Sequence, residues 1–171
     1  MSIHGELRNT VAVLAEPRRR PPGPGAVVAA RVVTLVGAAG IVPVHVAWAA
    51  GAPVLADAGR FAAWHAGGGR VLPATVALLA LCPVVLSLVL VSRRGRAAEL
   101  AVPRLPLIVP GYLLLAGFTG YALLIALFPA IWPEVFSPWA GVYGLVTFAV
   151  WLPAFAMTVH SHDVRTRHGI R

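Results

Sequence analysis

Four ionisable side chains sit where they would meet at one end of a helical bundle: His45, Asp57, His65 and Glu134. Two imidazoles and two carboxylates are donor types that bind divalent metals. Their spacing matches no recurrent ligand pattern. At a headgroup boundary the same groups also serve as hydrogen-bonding and pairing partners for Arg60 and Arg70. Neither a metal nor a catalytic residue is therefore assigned. The candidate ligand-binding set, on an outer rim, is His45, Trp48, Asp57, His65 and Glu134. A second cluster, His160, His162 and Asp163, reads HSHD. Residues two apart on a helix point about 200° from one another, so those rings share a ligand only if the helix has already ended. A solvated helix terminus, where cationic His suits the dipole, is the expected role. A bis-histidine haem needs two His at similar depth on facing helices, and His45 and His160 lie near opposite faces. The cofactor is left unknown. Cys82 stands alone, which excludes an intramolecular disulfide and a CxxC motif, and it reads as a small buried hydrophobe. Thr34, Thr75, Ser87, Thr119 and Thr147 are expected to bond backbone carbonyls.

The elements that must position these residues are apolar spans. Tyr112 to Phe128, with the LPLIVPG leading into it, is about as long as the roughly 20 residues that cross a bilayer. No residue from Leu105 to Ala130 is charged. Three more stretches resemble it, and the spans are expected at about 26–50, 71–91, 104–128 and 140–159. Pro43, Pro83, Pro110 and Pro153 lie inside them, where each removes a backbone donor and kinks the helix, so neighbouring helices must repair the backbone. Trp48 near the end of the first span fits an interfacial aromatic belt. Pro53 to His65 reads as a short amphipathic helix with Leu55, Phe61 and Trp64 on one side. The fold class is all-α: an integral membrane four-helix bundle with Pro-kinked transmembrane helices. The domain reading is a basic, Pro-rich arm over 1–25, a four-span domain over 26–160 and a short tail over 161–171. The polar start of the chain and the position of Arg18, Arg19 and Arg20 do not fit a signal peptide.

Composition agrees. Of the 171 residues 58% are hydrophobic and only 12% charged, against about 25% in soluble proteins. A net charge of +8 raises the question of nucleic acid, but the arginines cluster at the edges of the spans, where orientation is set, and no nucleic-acid partner is expected. If the N-terminus is cytoplasmic, twelve arginines fall on that side and only Arg60 and Arg70 on the other. That asymmetry places both termini inside a plasma membrane. The expected partners are the lipid bilayer and another membrane protein or a second copy of the chain. The all-arginine basic set suggests a GC-rich bacterial genome.

The four-span layout, with His45, Trp48, Ala49 and Gly51 closing the first span, resembles a family of small bacterial membrane proteins of unknown function, the DUF3995 type. The resemblance implies an architecture and no activity. Two functions are weighed. The first is a non-enzymatic membrane subunit or scaffold, suggested by apolar, small-residue-rich spans. The alternative is a carrier or enzyme acting on a hydrophobic molecule through an outer-leaflet pocket, with His45, Trp48 and Glu134 at its mouth.

Overall fold

The computed structural model describes residues 22–91 and 104–167. Most of the expected arm, and Arg93, Arg94 and Arg96 of the topology count, lie outside the described residues. The structure is 87% helical, with no strand among the described residues. Four helices are long and apolar enough to cross a membrane, so the chain is an all-α four-span bundle.

The first span is built from α1 (Pro24–Val36), a π-helical turn (Gly37–Ile41) and α2 (Val42–Ala49). Pro24 starts it at a position where its missing N–H would have had no partner anyway. The π turn answers Pro43. A proline there lacks an N–H and crowds the carbonyl four residues back. The backbone widens instead, and the Val42 N–H reaches back to the Gly37 carbonyl. A single neighbouring helix, Pro138–Arg167, supplies donors around the turn. The Trp151 indole N–H donates to Val33 O at 2.9 Å and the Tyr143 hydroxyl to Gly40 O at 3.3 Å. Irregular backbone at membrane depth is tolerated where protein groups satisfy it in this way.

The chain continues through α3 (Ala58–Trp64), a second π turn (His65–Gly69), α4 (Val71–Val91), α5 (Arg104–Ile131) and α6 (Pro138–Arg167). Pro83, Pro110, Pro129 and Pro153 all lie inside helices. Helix α6 outruns the expected 140–159 span, so HSHD is helical rather than a tail. His160 is exposed, but His162 and Asp163 are 8% and 2% exposed. That corrects the expectation of a solvated terminus, because the extra turns keep these side chains against the bundle.

Glycines set the closest approaches. A Cβ on Gly144 of α6 would come within 2.6 Å of Ile125 on α5. One on Gly37 would meet Val84 of α4 at 2.8 Å and Trp151 of α6 at 3.2 Å. The first span packs on α4 and α6, and α5 packs chiefly on α6. Helices α4 and α5 touch only sparsely. Outward faces carry Leu35, Leu78, Leu113, Leu123 and Val146, an apolar surface that suits hydrocarbon rather than water.

Candidate functional site

The structure divides the five candidate residues between the bundle interior and a cap at the end where α2 gives way to α3. His45 and Trp48, one turn apart on α2, are both fully buried, with ring centroids 5.2 Å apart. Neither lines a rim. The interfacial position expected for Trp48 gives way to the centre of an aromatic core, where it meets Phe128, Phe136 and Tyr143. Its bulk fills the space between the first span, α5 and α6, and its one polar atom has a partner there. The indole N–H donates to Val54 O at 2.7 Å, tying the loop after α2 back onto the bundle.

His45 is hydrogen-bonded through both ring nitrogens. Nδ1 lies 2.7 Å from Ile41 O, and Nε2 lies 2.7 Å from the Tyr121 hydroxyl of α5. A carbonyl only accepts, so Nδ1 carries the hydrogen, and in the neutral ring Nε2 accepts from the Tyr121 O–H. The pair links the first span to α5 inside the bundle. An ionisable side chain within a span is a functional candidate by default, and Tyr121 is the partner.

The other three residues build the cap. The first span ends in a Schellman turn: Ala52 N–H bonds Ala47 O at 2.8 Å and Gly51 N–H bonds Trp48 O at 3.1 Å, with Gly51 at φ +90°. His65 packs over Gly51, and its Nε2 donates to Ala49 O at 2.9 Å, one of the carbonyls that a helix end leaves open. Asp57 is the N-cap of α3 and accepts from the Arg60 N–H at 3.0 Å. Glu134 pairs with the Arg60 guanidinium at 2.9 Å, on side chains 73% and 57% exposed. Main-chain bonds then join the two loops of this end: Asp57 N to Val135 O, Ser137 N to Leu55 O, and a bridge between Ala56 and Phe136. Phe61, Trp64, Trp132 and Phe136 close it from within.

The expected amphipathic helix at Pro53 to His65 thus appears as the shorter α3, started by Asp57, with Phe61 buried. His45 and Trp48 come together in the core, and Asp57 and Glu134 share Arg60 in the cap. Among the described residues no three His, Cys, Asp or Glu side chains are grouped to hold a metal ion. Thr34, Thr75 and Thr119 bond the carbonyl four residues back. Ser87 departs from the expected pattern, being buried with no hydrogen-bond partner. Sequence reasoning passed over Tyr121, Tyr143 and Trp151. The available signal was that each places a donor inside a hydrocarbon-spanning stretch, where it must find an acceptor.

An open feature among the described residues lies elsewhere. Between α4 and α5, where packing is sparse, a lateral groove of about 540 Å³ opens, with Val76, Leu79 and Cys82 on one wall and Leu113, Gly117 and Tyr121 on the other, so Cys82 is exposed there rather than buried as expected. The Tyr121 hydroxyl is directed into the bundle by its bond to His45, so only apolar side chains form these walls.

Fold and site together define a four-span helical membrane protein whose span ends are clasped under an aromatic cap. Comparison with protein-family models, curated proteins and solved structures finds no match.

Proposed function

We propose that the protein is a non-enzymatic membrane subunit or scaffold that packs through its helix faces against another membrane protein or a second copy of itself. One observation supports this reading above all. The candidate polar residues are occupied with holding the chain together: His45 with Ile41 and Tyr121, Trp48 with Val54, His65 with Ala49, Asp57 with the start of α3, and Glu134 with Arg60. Side chains so engaged position helices and loops for contact with something else. The membrane is a plasma membrane and both termini are cytoplasmic, on the strength of the arginine asymmetry. Membership of the DUF3995-type family is part of the same proposal, resting on His45, Trp48, Ala49 and Gly51.

The test is affinity purification from native membranes at the chain's natural level, with polypeptides and organic-soluble molecules both quantified. A second polypeptide, or another copy, in a fixed ratio supports the scaffold reading. A lone monomer carrying a stoichiometric non-lipid small molecule overturns it. That outcome would favour the carrier-or-enzyme reading, supported by the α4–α5 groove in place of the expected outer pocket, since His45, Trp48 and Glu134 do not line it.

A further inference from the structure

We propose that Trp139 and Tyr112 sit at the two lipid–water interfaces, where the indole and the phenol meet the ester and phosphate groups of phospholipids. Among the described residues they are the two aromatic side chains left exposed, at 68% and 41%. Trp48 and Trp151 use their indole N–H groups inside the protein, on Val54 O and Val33 O. Neither Trp139 nor Tyr112 bonds another described residue through its polar atom. Each therefore presents an apolar ring and an open hydrogen-bonding group on the outside of a membrane bundle. Such side chains favour the headgroup level, where the ring touches hydrocarbon and the polar tip stays wet.

Height decides the assignment. Helix α6 starts at Pro138, so Trp139 lies in its first turn, at the cap end. At the other end a Cβ on Gly111 would come within 3.0 Å of Val159, which puts the adjacent Tyr112 level with that residue of α6. From position 139 to position 159 is twenty residues, about 30 Å at helical rise. The hydrocarbon core is ~30 Å thick, and an ordinary tilt of about 20° shortens the span only to about 28 Å. The outward face of α6 gives a similar length by another route. Every exposed position between Trp139 and His160 is apolar, Val142, Val146, Val150 and Met157 among them. The exposed His160 ends that stripe, about 32 Å from Trp139. On α5 the exposed Thr119 hydroxyl donates to Leu115 O, so it asks nothing of the lipid. Arg31, exposed on the first span, lies eighteen residues or about 27 Å from Ala49 at the cap end. Its cation thus falls near the second boundary, with the stem free to lie along hydrocarbon.

A tryptophan that docks a protein can stand at any height on the bundle, whereas a lipid interface requires these two. The bilayer is thereby placed on the fold. One boundary passes through the first turn of α6 and leaves the exposed Arg60–Glu134 pair of the cap among headgroups and water. The other passes at Tyr112 and His160. The interfacial role that the sequence suggested for Trp48 falls to Trp139 instead.

The test uses the full chain reconstituted in phosphatidylcholine vesicles. In a Cys82→Ala background, spin labels are placed at Trp139→Cys, Tyr112→Cys and Val150→Cys, all exposed positions whose replacement leaves the core intact. Val150 lies eleven residues from Trp139, about 16 Å, at mid-bilayer. Its label is expected to be the most accessible to oxygen and the least accessible to a water-soluble nickel chelate. The labels at positions 139 and 112 are expected to match each other, with a higher nickel-to-oxygen ratio than the label at position 150. Either of them found as deep as position 150 overturns the placement. A label at position 139 shielded from both reagents reveals a protein contact and overturns the lipid assignment.

A second readout keeps the native indole. Fluorescence of the parent and of Trp139→Phe is compared in vesicles whose phosphatidylcholine carries bromine near the carbonyl end or near the methyl end of the acyl chain. The emission lost in Trp139→Phe is expected to be quenched more by bromine near the carbonyl end. Equal quenching, or stronger quenching from the methyl end, refutes the assignment. Both readouts need only the purified chain, so this inference and the scaffold reading fail separately.

Discussion

His45 and Tyr121 are each other's hydrogen-bond partner in a place where water offers no substitute. Tyr121→Phe leaves Nε2 of a fully buried imidazole unpaired, which costs about 1–3 kcal/mol. A double-mutant cycle with His45→Leu is expected to give a coupling energy of about 1 kcal/mol or more, measured by unfolding in mixed micelles. Additive losses would show that the contact carries no energy of its own. The Arg60–Glu134 pair belongs to the opposite regime. Both side chains are more than half exposed, and a surface ion pair is worth only about 0–1 kcal/mol. Glu134→Gln is therefore expected to leave the unfolding midpoint almost unmoved. A large shift would mean that the ion pair, and not the aromatic packing of Phe61, Trp64 and Phe136, holds the cap.

At the scale of elements, the π turn of the first span is the feature around which three helices are fitted. Pro43 sets it, Trp151 and Tyr143 donate to its neighbourhood, and Gly37 lets α4 and α6 close on it. Gly37→Ala inserts a Cβ 2.8 Å from Val84 and 3.2 Å from the Trp151 indole nitrogen. Both neighbours sit in a packed interior, so the expected cost is about 1–3 kcal/mol. Gly120→Ala, on an open helix face, is expected to stabilise by up to about 1 kcal/mol through helix propensity alone. The two unfolding curves, run side by side, check both. If Gly37→Ala proves as harmless as Gly120→Ala, the first span is not locked in this manner.

For the whole molecule, orientation is the prediction to make. In a Cys82→Ala background, Ala58→Cys at the cap and His160→Cys at the other end both lie at exposed positions. With both termini cytoplasmic, an impermeant maleimide applied to intact cells labels Ala58→Cys, and His160→Cys reacts only after permeabilisation. The reverse pattern would invert the topology. The cap also gives the molecule two unlike ends. One is clasped by aromatic rings and loop-to-loop main-chain bonds, while at the other α6 runs on past the expected span and buries His162 and Asp163.

By itself the sequence determined that the chain is helical and crosses a membrane four times. Long uncharged stretches such as Leu105 to Ala130 leave no other way to satisfy the backbone, and arginines accumulate outside them. The fate of individual polar side chains was not legible in this way. Periodicity places His45 and Trp48 near a span end but does not say whether they face headgroups or a neighbouring helix. That choice was decided by Tyr121 and Val54, 76 and 6 residues away, which offer an acceptor or donor at the right distance. The π turn was readable only as an expected disturbance at Pro43, because a kink and a widened turn both answer a missing donor. Tertiary packing decided between them, since Trp151 and Tyr143 arrive from another helix with hydrogens to give. The groove was invisible for the same reason: it arises where α4 and α5 fail to meet, and only assembly of the bundle leaves such a gap.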